Sequence, residues 1–238
     1  MQSKLQFTVG TLTATGILFA AAQAQASFDL QITEIYEGVA GEDVTEDWIE
    51  ITNFGTSAYT FGVDGQLYYD DNSADPTEDE QVTGIGSIAA GESVIVVLAN
   101  SATDVTDFRN AWGPSNVASV QVGYLIGDDP GGLSQGGETA YLFDGNGALA
   151  NTVDSAFYFG SENTPAVQGS TWVYDFDNGS WDGTDQAAVG TWGAFSAPVA
   201  AGDFGEFPLV GSPGIVPEPS SLALLGLGGL VIARRRRR

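Results

Sequence analysis

The chain has no cysteine and no histidine, and a single lysine, Lys4, beside six arginines. Ser-His and Cys-His nucleophiles, a Ser-Lys dyad, a lysine Schiff base, a His or Cys zinc site and an Fe–S cluster each need a residue type that residues 27–216 do not supply. Carboxylates, hydroxyls, amides and one arginine remain. The basic residues are as unevenly placed as they are few: Lys4 and Arg234 to Arg238 lie at the two ends, and Arg109 is alone between them. Against them stand 31 acids, all but Glu218 within residues 27–216, for a net charge of -24 over 238 residues. A surface of that sign repels nucleic acid and anionic lipid. A hydrophobic content of 43% is ample for a folded core.

Both ends read as addresses. Lys4 precedes an uncharged, largely apolar stretch from Phe7 to Ala22, and the small-x-small sites Ala22-Gln23-Ala24 and Ala24-Gln25-Ala26 follow. Charge, apolar run and small residues in that order define a secretory signal peptide over residues 1–26, with Ala24 and Ala26 where signal peptidase needs small side chains. At the other end Pro217-Glu218-Pro219 leads into twelve apolar residues, 222–233, and then Arg234, Arg235, Arg236, Arg237 and Arg238. As a helix that run spans about 18 Å against a hydrocarbon core of roughly 30 Å, a poor permanent anchor. The arginines hold it at the cytoplasmic side while the acidic body lies outside, so membrane insertion is expected to be transient. These residues resemble the PEP-CTERM sorting signal of Gram-negative bacteria. The resemblance implies recognition and cleavage by an exosortase, delivery to the cell surface or extracellular matrix, and association with exopolysaccharide or biofilm.

Between the ends, strand signals dominate. Phe28 to Tyr36 alternates apolar Phe28, Leu30 and Ile32 with polar Asp29, Gln31 and Thr33, the pattern of a half-buried strand. Residues 47–52 continue it, with Ile49 and Ile51 on one face and Trp48 on the other. Residues 93–99 form a β-branched run suited to a strand buried on both faces, and residues 139–153 read as a hairpin about the turn Asp144 to Gly147. One stretch predicts a helix: Thr103 as cap, then residues 104–112 with Val105, Phe108 and Trp112 at helical spacing and Gly113-Pro114 as the stop. Residues 194–215, which share with the tail five of the nine prolines, read as a linker. No repeat of fixed period is evident.

The order of these elements resembles the lamin tail domain. The residues that carry the likeness are Ile32-Thr33-Glu34-Ile35, the stretch Glu46 to Asn53 with Gly55, Ala90-Gly91 before the 93–99 run, residues 107–113, residues 132–144, and Ser212-Pro213-Gly214. An acidic insertion at Asp70 to Glu80 and a long aromatic stretch from Thr171 to Trp192 depart from that pattern. The resemblance implies an all-β fold, an immunoglobulin-like β-sandwich with one short helix over residues 27–193. It is flanked by the signal peptide and, at 216–238, by the short transmembrane sorting helix with its arginines.

Three features could carry chemistry. The acidic loops at Asp70 to Glu80, Asp128-Asp129 and Asp175 to Asp185 offer oxygens to calcium, but none has EF-hand spacing, and a solvated acidic surface is the favoured reading. No cofactor is expected, with calcium the open alternative. Trp172, Trp181 and Trp192 are the candidate ligand-binding aromatics, with Tyr174 among them and Tyr68 and Tyr69 elsewhere, able to stack on sugar faces, although aromatics in a sandwich usually fill its core. Carboxylate pairs such as Glu46 with Glu50, or Asp175 with Asp182, are what a glycosidase needs, yet pairs mean little among so many acids. The expectation is a non-enzymatic, exported protein with a binding or structural role, extracellular polysaccharide being the candidate partner. The rivals are a secreted carboxylate-based hydrolase and a calcium-dependent adhesion module.

Overall fold

A computed structural model describes residues 27–215 apart from residues 76, 78–79, 128–130, 146–150 and 164–166. The signal peptide and the sorting signal both lie outside the described residues. The described residues are mostly β with one helix. Its elements are β1 (Leu30–Tyr36), β2 (Trp48–Asn53), β3 (Tyr59–Thr60), β4 (Leu67–Asp70), β5 (Glu80–Thr83), β6 (Ser87–Ile88), β7 (Ser93–Val97), α1 (Ala102–Trp112), β8 (Gln121–Ile126), β9 (Glu138–Asp144), β10 (Asn151–Tyr158), β11 (Trp172–Val173), β12 (Phe195–Ala201) and β13 (Phe207–Gly211).

Nine strands form one sheet in the order β10-β9-β4-β5-β8-β7-β2-β1-β11. It curls until β10 meets β1, where Asp154 Oδ2 accepts the Ile32 N–H at 2.7 Å. Leu30, Ile32, Ile49, Ile51, Val94, Val96 and Leu142 point inward and form an apolar core. The pair β7–β8 is parallel. A parallel pair needs a crossover, and α1 supplies it, lying on the outer face with Phe108, Ala111 and Trp112 buried. Ser101 caps this helix, its side chain accepting the Thr103 N–H at 3.1 Å, so the cap falls two residues before Thr103. Gly113, at φ 88°, ends it. Arg109, the only basic side chain among the described residues, donates to the Val117 and Val120 carbonyls at 2.8 and 2.9 Å and pins the loop that leads to β8.

Strand β2 is buried on both faces, as apolar groups on each side of it require. Trp48, 0% exposed, stands on the outer face with ring centroids 5.6 Å from Phe108 and 5.4 Å from Trp112. The expected hairpin of residues 139–153 is β9–β10, its second strand extending to Tyr158.

The linker reading of residues 194–215 is corrected by the structure. Strands β12 and β13 pair as an antiparallel hairpin that packs on α1, and Ala201 and Leu209 are buried in the outer core with Tyr36, Trp48 and Trp112. Pro198 and Pro208 are tolerated because a two-stranded hairpin leaves many N–H groups without a ladder partner, and the register shift between Ser196 and Ala200 absorbs Pro198. Sparse proline in an apolar alternation was here a marker of an edge hairpin. The folded unit therefore reaches Ser212 and Gly214, beyond the expected boundary at residue 193.

Candidate functional site

Beneath the outer layer lies a cluster of buried polar groups, and a bulge in β1 creates it. Ile32 pairs with Ile51 and Glu34 with Glu50, the register slipping by one residue between the two pairs. A bulge places two successive side chains on one side of the sheet. Thr33 and Glu34 both turn outward as a result, while Ile32 and Ile35 stay in the inner core. Glu34 thus faces Glu50 across the strands, and both are buried at 1% exposure.

Two like charges directly opposite on a sheet repel, so each carboxylate needs donors. Glu50 Oε1 accepts the Thr33 hydroxyl at 2.7 Å, and a chain of hydroxyls continues from Thr33 to Thr52 at 2.7 Å and from Thr52 to Ser93 at 2.5 Å. Glu34 Oε1 accepts the Thr171 hydroxyl and, at 2.8 Å, the Ser212 N–H, and its Oε2 accepts the Ser212 hydroxyl at 3.1 Å. Glu50 Oε2 accepts the Gly214 N–H at 2.6 Å. The two glutamates therefore hold residues 212–214 against the sheet. Gly214 has φ 78°, and a Cβ there would lie 2.2 Å from Val120 Cγ2, so no other residue fits. Burial raises both carboxyls toward the protonated form, and for Glu34 the facing charge of Glu50 raises it further.

A second group of acids ties loops across the end of the sheet. Asp47 Oδ2 accepts the Leu133 N–H at 2.6 Å, Glu138 Oε1 the Ser134 N–H at 2.6 Å, and Glu37 Oε1 the Ser161 N–H at 2.8 Å. Burial pushes both Glu37 and Asp47 up to about 7.

The acidic loops weighed as calcium sites close their own turns where they are described. Asp70 accepts from Ser73 and Asp75, Asp175 from Asp177 and Asn178, and Asp182 from Thr184, each closing its own turn. Among the described residues no three acids converge on a point that could hold a metal ion. Glu78, Asp79, Asp128 and Asp129 lie outside the described residues. Of the two carboxylate pairs, Glu46 and Glu50 do not act on one another. Glu50 is committed to Thr33 and Gly214, whereas the charges acting on Glu46 are Asp104, Asp43 and Asp107. Asp175 and Asp182 are both held below the ordinary carboxylate range by their own turns, so neither is kept protonated as a general acid.

The three candidate tryptophans have three different fates. Trp172 is 1% exposed and packs in the inner core 5.9 Å from Tyr158, which removes it as a binding surface. The alternation of β11 turns it inward. Trp181, despite its turn-like neighbours, lies half-buried against the inner core and donates its indole N–H to the Phe157 carbonyl at 2.5 Å. Trp192 is likewise half-buried but rests on a different, small cluster with Val173, Ala187 and Ala194. Sequence reasoning missed Phe54 and Phe176, which join Tyr174 and Trp192 at the surface. A dense aromatic composition after residue 171 was the available signal.

A model of the PEP-CTERM protein-sorting motif matches residues 216–238. No curated protein and no solved structure matches. A sorting motif of this kind implies recognition by an exosortase and export to the cell surface of a Gram-negative bacterium.

Proposed function

We propose, from a chain that carries a PEP-CTERM sorting signal at residues 216–238, that this is a non-enzymatic surface or matrix protein with a binding or structural role. It would associate with extracellular polysaccharide after removal of an N-terminal signal peptide and of the C-terminal arginines. The observation that carries the reading is the sorting signal, joined directly to a domain whose last clamped residue is Gly214. The domain is read as lamin-tail-like. Three stretches that carried the sequence resemblance, around Glu34, Glu50 and Ser212-Pro213-Gly214, meet in one hydrogen-bond network, which supports that reading. A non-enzymatic role is supported by the use to which the acids are put: they accept from backbone N–H groups and hydroxyls of their own fold. No histidine, cysteine or mature lysine offers a nucleophile or base.

Mass spectrometry of the surface-exposed protein tests the central claim. The expected mature species starts at Ser27 and ends near Pro217 to Pro219. Recovery of an exported chain with Arg234 to Arg238 intact overturns the sorting part. Cleavage of a polysaccharide by the purified protein overturns the non-enzymatic part in favour of a carboxylate-based hydrolase.

A further inference from the structure

Where β1 begins and β2 and β11 end, four aromatic rings from three separate stretches meet at the surface. Phe54 follows β2, Tyr174 and Phe176 follow β11, and Trp192 comes from the loop before β12. Ring centroids are 5.7 Å apart for Phe54 and Tyr174, 5.3 Å for Tyr174 and Phe176, and 6.1 Å for Phe176 and Trp192. All four are partly buried and keep part of each ring open to solvent, in contrast to the fully buried Trp48, Trp112 and Trp172.

The backbone is bent to complete this patch. Trp192 has φ 47°, a left-handed conformation that only Ala74 shares among the described non-glycine residues. A bulky side chain is disfavoured there. The turn that holds it runs between Gly190 and Gly193, at φ 89° and 84°, and is closed by the Gly190 N–H on the Ala194 carbonyl at 2.8 Å. Strain of this kind collects where a side chain must be presented in one place.

The rim of the patch is acidic. Asp154, Asp29 and Asp175 are the charges that act on Tyr174, and Asp175 is held ionised by its own turn. Arg109, the only described basic group, is engaged with two carbonyls beside α1. A matching ligand presents apolar C–H faces to the rings and positive charge to the rim. The rings are stepped, with planes 33° apart for Phe54 and Tyr174 and 68° apart for Tyr174 and Phe176. Successive rings of a twisted polymer fit such a surface better than one flat molecule does.

We propose that Phe54, Tyr174, Phe176 and Trp192 form a binding site for an amine-bearing polysaccharide, pyranose faces stacking on the rings and ammonium groups lying against Asp175 and its acidic neighbours. The site rests on the surface-protein reading above and gives it a ligand class. The test applies the exported protein to chitosan, cellulose and alginate beads over a range of salt. Retention is expected on chitosan, weakening as salt screens the rim. Trp192→Ala and Phe176→Ala are each expected to weaken it about tenfold, while Phe204→Ala, at a 93% exposed side chain on the β12–β13 turn, leaves it unchanged.

Thermal melts accompany each variant. If the ring variants lose stability, Asp175→Asn answers alone: its Oδ1 still accepts the Asp177 and Asn178 N–H groups and only the exposed bond from the Asn178 side-chain amide to Oδ2 is lost, so the fold is expected to be kept while retention and its salt dependence fall. Absence of wild-type retention overturns the site, as does equal retention on cellulose or alginate, or variants that bind like wild type. A Trp192-dependent dimer in gel filtration, or binding to phospholipid vesicles in place of beads, also overturns it by assigning the patch to a second copy or a lipid surface. The tail mass is read separately, so an exported chain with intact arginines removes the sorting reading without blurring the bead result.

Discussion

The two faces of β2 are equally buried and differently filled. Inward, Ile49 and Ile51 meet only apolar neighbours from the curled sheet. Outward, Trp48 packs against α1 while Glu50, two residues on, faces Glu34 and holds the chain at Gly214. The inner face closes by removal of apolar surface from water, a force without direction. On the outer face only donors at the right positions satisfy the carboxylates, and Ser212 and Gly214 supply them. A buried polar cluster of this sort adds little net stability and makes one arrangement of the covering segment far better than others. The contrast separates what drives collapse from what fixes where the C-terminal segment lies.

The most severe way to break the contrast is to remove the shared apolar anchor. Trp48→Ala is expected to cost about 3 to 5 kcal/mol, as truncation of a fully buried aromatic does, read from urea melts. A loss below about 1 kcal/mol would show that α1 and the hairpin can collapse into the space.

Next comes the clamp. Glu34→Ala leaves the Ser212 N–H, the Ser212 hydroxyl and the Thr171 hydroxyl without their acceptor, and a loss of about 2 to 4 kcal/mol is expected. Glu34→Gln keeps one acceptor oxygen and removes the charge facing Glu50, so it should cost clearly less. Hydrogen exchange at Ser212 and Gly214 separates the cases: it should rise sharply in the alanine variant while amides of the inner strands stay protected.

The pH dependence sharpens the comparison further. Glu37 and Asp47 are raised to about 7 from 4.5 and 3.8, and Glu34 and Glu50 are raised as well. Groups with a higher affinity for protons when folded contribute stability that is complete at pH values below their unfolded range and lost as pH climbs through the folded value. The melting temperature should therefore fall between about pH 4.5 and pH 7 at constant ionic strength, and less steeply in the Glu34→Gln Glu50→Gln double variant. A melting temperature that rises over that interval would contradict the burial assigned to these acids.

Trp181→Ala is expected to have a smaller effect, about 1 to 2 kcal/mol, because the ring covers the inner core from one side only. Smallest is the response to salt. With so many carboxylates and one described basic residue, added sodium chloride should raise the melting temperature by screening. Calcium and magnesium at equal ionic strength distinguish screening from a site: equal shifts mean screening, and a shift from calcium alone places an ion in an acidic loop.

The amino-acid order determined much of this protein without help from tertiary contacts. The alternation in residues 28–36 and 47–52 fixed which side chains of β1 and β2 face which way up to the bulge, and Gly113-Pro114 fixed where α1 stops, because these are consequences of backbone geometry within a few residues. The tail was legible for a similar reason: charge, apolar length and proline order are properties of a linear signal. Other features depended on partners far away in sequence. Nothing local distinguishes a proline-containing hairpin from a linker until Phe195 meets Trp112. Nor can a turn-like stretch show that Trp181 will find the inner core and the Phe157 carbonyl. The bulge between Ile32 and Glu34 is set by pairing with β2, and only that pairing brings two glutamates face to face and makes the Ser212–Gly214 segment part of the fold. Short-range sterics act along the chain, but burial and hydrogen-bond satisfaction are decided by whichever segments arrive together, and that is a property of the folded whole.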